Sequence, residues 1–115
     1  MPVDYLPASA RSNISKQIGD YVFFDDLLES KTTKDPMVGI WFRIEQGPPV
    51  GPGVHAYDES GVVFEGTLTL RDETGNERTL ERGDTFFIHR GSTVLFSSTD
   101  FAVCYKCAAQ VKGKL

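Results

Sequence analysis

Apolar and polar positions alternate most regularly from Met37 to Glu45, where Val38, Ile40, Phe42 and Ile44 fall on one side and Trp41, Arg43 and Glu45 on the other. Side chains of an extended chain alternate faces, so a period of two predicts a strand with one buried face. The same pattern predicts a hairpin from Thr67–Arg71 to Arg78–Leu80 around the turn cluster Asp72–Asn76. It also predicts strands at Thr85–His89, Val94–Ser98 and Phe101–Cys107, separated by turns. Tyr21–Phe24 is a short β-prone run, Asp25–Glu29 reads as one helical turn capped by Asp25, and Lys31–Pro36 is a polar loop. Gln46–Gly53 carries three prolines and three glycines and is predicted to be neither helix nor regular sheet. Seven or eight short strands without a long helix predict an all-β sandwich or barrel. Residues 1–20 show no sustained period and read as an extended arm, and residues 21–115 as a single domain.

With 115 residues, 40% hydrophobic and 24% charged, the chain has the composition of an ordinary globular domain able to bury a core. A net charge of -4 and a pI near 5.1 argue against nucleic acid or an anionic membrane as partner, since both need clustered Lys and Arg. Lys112 and Lys114 read only as a solvated tail. The longest apolar run, Met37–Phe42, is far short of the roughly 20 residues of a membrane helix. No apolar leader is visible at the start, so a cytoplasmic location is expected. Cys104 and Cys107 fall three residues apart in a predicted strand, which sets their Cα atoms about 10 Å apart, too far for a disulfide. Two reduced thiols are expected.

The chemistry concentrates in Gly53–Gly66, GVHAYDESGVVFEG. If that segment is straight, His55, Tyr57 and Glu59 share a face and form a compact acid-base cluster, with Asp58 turned away into a turn or hydrogen-bonding role. A buried Glu59 needs a partner, and Arg43 is the expected one. A structural ion pair is the competing explanation of Glu59. Lys106 shares a face with Ala102 and Cys104 and is predicted to look to solvent because buried lysines are rare, with Tyr105 and Cys107 opposite it in the core.

Glu59, six residues and then Gly66 resemble the end of the first cupin motif, with His55 at its second histidine, and Gly83-Asp84 with Gly91 eight residues after Gly83 resembles the frame of the second. The segments YDE, FEGTLTL, ERGDTFFI and RGSTVLF look most like small cupins related to an ethanolamine-utilisation protein. The resemblance spans roughly residues 37–108 and implies a single-domain jelly-roll barrel. It departs from the family's full metal site of three histidines and a glutamate. Gly53 and Val94 stand where two of those histidines would be, and His89 replaces a proline.

These residues lead to a small-molecule enzyme doing acid-base chemistry of the lyase, isomerase, decarboxylase or cyclase type. His55, Glu59 and Tyr57 are the expected catalytic groups, with Glu59 supporting a protonated His55. Trp41, Arg43, Phe87, Phe96 and His89 are the expected substrate contacts. No cofactor is expected. Alternatively, His55, Glu59 and His89, or Tyr57 in its place, hold a metal for an oxygenase or isomerase, or the barrel is a non-catalytic binding or assembly module. The apolar strands, the Trp41 face and the arm together predict a homodimer.

Overall fold

The computed structural model describes residues 3–12, 14, 16, 17 and 21–110, so the Lys112 and Lys114 tail lies outside the described residues. A short 3-10 segment at Ala8–Ser12 precedes β1 (Lys16–Gln17), β2 (Val22–Glu29), β3 (Val38–Val50) and β4 (Glu59–Gly66). The hairpin β5 (Leu68–Arg71) and β6 (Glu77–Leu80) follows, then β7 (Thr85–Ile88) and β8 (Leu95–Ala108). The all-β expectation holds, and among the described residues no helix is long and apolar enough to cross a membrane.

Three local predictions are corrected. Asp25–Glu29 is not a helical turn but part of β2, because this stretch pairs along β3 through Glu29↔Val38, with a bulge between Asp26 and Leu28. β3 continues through Gly47-Pro48-Pro49 to Val50, meeting β8 with register shifts at Gly47 and Val50 that absorb the missing proline donors. The two predicted strands at the end of the chain are one, β8, since Ser98-Thr99-Asp100 continues the extended backbone.

β3 and β8 are the frame. They pair with each other from Val38↔Ala108 to Val50↔Phe96. On its other side β8 binds β4 through residues 102–108 and β5 through residues 95–97, so the sheet forks between them. The fork is pinned where Gly66 and Thr67 meet Asp100 and Phe101. Thr67 Oγ1 donates to Asp100 Oδ1 at 2.8 Å, Ser98 Oγ to the Thr67 carbonyl at 2.7 Å, and Phe101 N to Asp100 Oδ1 at 2.7 Å. The Thr67 hydroxyl, foremost among these donors, holds the Asp100 carboxyl below its usual range. Gly66 has φ +74°, and a Cβ there would collide with the Phe101 carbonyl oxygen, so only glycine fits.

The two branches close over one another. Phe42 pairs with Cys104, so along flat strands it would lie roughly 26 Å from Phe96. Their ring centroids are instead 6.1 Å apart, edge to face. The inner face gathers Val38, Ile40, Phe42, Ile44, Val63, Leu68 and Phe96 into one core. At the open side, among the described residues, β6 pairs only with β5 and β7 only with β4, leaving a gap between two sheet edges.

Candidate functional site

His55, Tyr57 and Glu59 all reach the interior, though not from one straight strand. An isolated bridge, Val54↔Thr93, and backbone bonds His55 N to Ser92 O and Gly91 N to His55 O, both 2.8 Å, fix the bend before β4 begins at Glu59. His55 and Glu59 are 2% and 1% exposed, and Tyr57 is buried beside them. The His55 ring lies 5.4 Å from Tyr57 and 6.2 Å from Phe96, centroid to centroid. Asp58 points away as expected, accepting a 2.8 Å bond from Arg90 N.

The partner of Glu59 is a residue that sequence reasoning sent to solvent. Lys106 is 7% exposed, and its Nζ lies 3.1 Å from Glu59 Oε1 and 5.0 Å from the Phe42 ring centroid. Strand register explains the burial. Lys106 sits between Ile40 of β3 and Gly61 of β4, on the inward row that also carries Ala102 and Cys104. Gly61 leaves the space on that row that the Phe86 ring fills, since a Cβ at Gly61 would lie 2.5 Å from Phe86 Cζ. The signal available in the sequence was the apolar face Ala102-Cys104 on which Lys106 lies; its charge argued the other way.

Arg43 is consequently not the counter-ion. It lies on the outer face, over Phe23 at 4.4 Å, 3.9 Å from Glu45 Oε2 and donating to Ile14 O at 3.3 Å. Trp41 is on the same outer face, 5.5 Å from Phe64 and 5.2 Å from Tyr105, so neither it nor Arg43 lines the interior. Tyr105 and Cys107, expected in the core, are half-buried on this face for the same reason of phase. Burial pushes the Tyr105 hydroxyl up to about 12. Both cysteines are free, as expected, and desolvation raises the buried Cys104 thiol to about 12, leaving it protonated and inert. Of the remaining expected contacts, Phe96 walls the cluster, whereas Phe87 and His89 are exposed, their rings in tilted contact at 4.7 Å between centroids.

His55 Nε2 is 3.9 Å from Glu59 Oε2. Burial lowers the His55 pKa below 6.5 more than Glu59 raises it, and Lys106 pushes it down further. The protonated imidazole expected beside Glu59 is therefore replaced by a neutral one. The Lys106 contact is an ion pair without hydrogen-bond geometry, and His55 Nδ1 and both Glu59 oxygens have no hydrogen-bond partner. A groove of about 500 Å³ occupies the gap between β6 and β7, lined by buried Leu80, Ile88 and Val94, by polar Asn76, Thr85 and Ser92, and by exposed Arg78, Phe87 and His89. Ile88 in that lining is the cross-strand neighbour of Glu59, while His55, Tyr57, Glu59 and Lys106 do not themselves line the groove.

Neither a family model nor a curated protein matches the sequence. Solved structures do. The ethanolamine utilization protein EutQ of Salmonella typhimurium superposes with a TM-score of 0.66 at 25% identity, over 79% of this chain and 71% of that one. EutQ of Clostridium difficile gives 0.66 at 22%, over 79% and 64%, so this chain spans less than two thirds of that protein. The polyketide cyclase RemF of Streptomyces resistomycificus gives 0.73 at 18%, over 92% and 78%, a likeness of fold alone. The chain has the small-cupin fold and resembles EutQ.

The cupin metal site does not fit the donor set of this barrel. His55 and Glu59 are the two donors in place, His89 is at the exposed opening, and among the described residues no three His, Cys, Asp or Glu side chains cluster. The amino group of Lys106 already stands where a cation would meet Glu59.

Two expectations follow for this cupin. Lys106→Met leaves a buried carboxylate uncompensated and should cost about 3–5 kcal/mol in urea unfolding, while adding Glu59→Gln should recover about half or more. Additive single-variant losses would show that the pair is not coupled. For His55, the unfolded chain binds a proton near pH 6.5 that the folded site refuses. Its contribution to stability is thus complete above pH 6.5 and is lost as pH falls from there through the lower folded value. Unfolding free energies measured from about pH 7.5 to about pH 5 should show that slope, and His55→Gln should flatten it.

Proposed function

We propose that this cupin is a small-molecule enzyme that moves protons within its barrel without a metal. The observation that carries the reading is the sealed Glu59 carboxylate, flanked by His55 at 3.9 Å and Lys106 at 3.1 Å in an otherwise apolar interior. Low dielectric strengthens each charge interaction there. Glu59 takes a proton from an activated C–H or O–H of the guest, neutral His55 relays or returns it, and the Lys106 amino group stabilises negative charge that develops on the guest. Tyr57 and Phe96 hold the imidazole and exclude water. RemF, a polyketide cyclase, shares the fold of this chain.

A second reading, a non-catalytic binding barrel with Lys106–Glu59 as a structural pair, draws on the sealing of all three groups from solvent. Proton exchange separates the two. A panel of small carbonyl compounds incubated in D2O and followed by proton NMR should include one whose α-proton is exchanged by the wild type. The exchange should fall about 100-fold in His55→Gln and in the Glu59→Gln/Lys106→Met double variant. Equal rates in all three proteins would overturn the enzymatic reading.

The homodimer uses the outer face of β3, β8 and β4. Arg11 covers part of it, lying 4.7 Å over Phe64 and 3.3 Å from Glu65, while Phe64 keeps 37% exposure. Light scattering should return twice the chain mass, and Phe64→Glu should shift it toward the monomer; a monomeric wild type would exclude the assembly.

A further inference from the structure

Arg78 is an exposed charge on the strand face that continues inward to the core. It pairs with Leu70 across the β5–β6 hairpin and shares its face with Leu80, which is 7% exposed. Leu70 pairs in turn with Phe96, and Phe96 with Val50, so Arg78 ends a cross-sheet row that passes through the ring beside His55. Arg78 lines the groove and has no ion-pair or hydrogen-bond partner among the described residues. The acid nearest in the lining, Asp72, is engaged by its own turn: its Oδ1 accepts from Thr74 N at 2.9 Å, Thr74 Oγ1 at 2.6 Å and Asn76 N at 3.2 Å. An unmatched cation therefore lines a groove of about 500 Å³ whose walls mix Leu80, Ile88 and Val94 with Asn76, Thr85 and Ser92.

We propose that the groove takes a small organic oxyanion, a carboxylate or phosphate carried on a flat apolar body. The anionic group pairs with Arg78, and the body lies against Leu80, Ile88 and Val94, pointing its far end toward Glu59 and His55. Arg suits this task because its planar fork meets two oxygens at once and carries a thinly held hydration shell. An inward charge on an edge strand also discourages sheet-to-sheet pairing. That role needs only a charge of either sign, which gives the test its control. The inference deepens the proton-transfer reading by naming the class of guest.

Calorimetric titration of the intact chain with benzoate, phenyl phosphate and neutral benzamide tests it, with amide chemical shifts locating the site. Both anions should bind at least about tenfold more tightly than benzamide and shift residues of β6 and β7. Arg78→Glu should remove that preference while Arg78→Lys retains part of it, and the tighter of the two anions identifies the head group. Equal affinity for benzamide, no saturable binding of either anion, or an anion preference that survives Arg78→Glu would overturn the assignment. The titration reads occupancy and not turnover, so it fails independently of the proton-exchange measurement.

Discussion

A carboxylate withdrawn from water has to be compensated within the protein, and in this barrel the compensation comes from a lysine on the neighbouring strand. Glu59 enters at the start of β4 and Lys106 near the end of β8, and the β4–β8 register sets Lys106 opposite Gly61, one step along the same inward row from Glu59. Neither group would be tolerable alone among Phe42, Phe96 and Ile88. Together they fix which face of β8 turns inward, because a slip of one residue would send Lys106 out and leave Glu59 stranded. The ion pair is thus a register device as well as the charged centre of the buried interior.

The shape around that pair follows from two long strands shared by both branches of a forked sheet. β3 and β8 run through both halves, β4 with β7 and β5 with β6 attach to different halves of β8, and Asp100 with Thr67 holds the parting point. Folding one branch over the other brings Phe96 against Phe42 and His55 and encloses the acid-base groups. It also leaves two strand edges that do not meet. The groove between them is the consequence, and its lining includes Ile88, the cross-strand neighbour of Glu59. Its lining sets buried Leu80, Ile88 and Val94 beside polar residues and the exposed Arg78.

In this cupin the metal-ligand histidines give way to an internal cation. Two donors cannot hold a divalent ion well against water, whereas an ammonium group tethered to the sheet needs only one carboxylate opposite it. The neutral state of His55 fits that arrangement. With Glu59 engaged by Lys106, the imidazole gains too little from the carboxylate to offset its burial.

Much of the framework was legible in the chain. The period of two in Val38, Ile40, Phe42 and Ile44 identified a core face, glycines at Gly75, Gly83 and Gly91 marked turns where φ is positive, and His55, Tyr57 and Glu59 were grouped correctly inside the barrel. These signals are local: they depend on side-chain alternation and on backbone angles that few residues accept. What went unread was non-local. Asp25–Glu29 is extended because β3 supplies its hydrogen bonds, and Ser98-Thr99-Asp100 continues a strand because Thr67 satisfies polar groups that otherwise favour a turn. The inward lysine and the outward Trp41 and Arg43 depend on which strands become neighbours. Local alternation distinguishes the two faces of a strand; only closure of the sheet decides which face is inside and which distant charge will be waiting there.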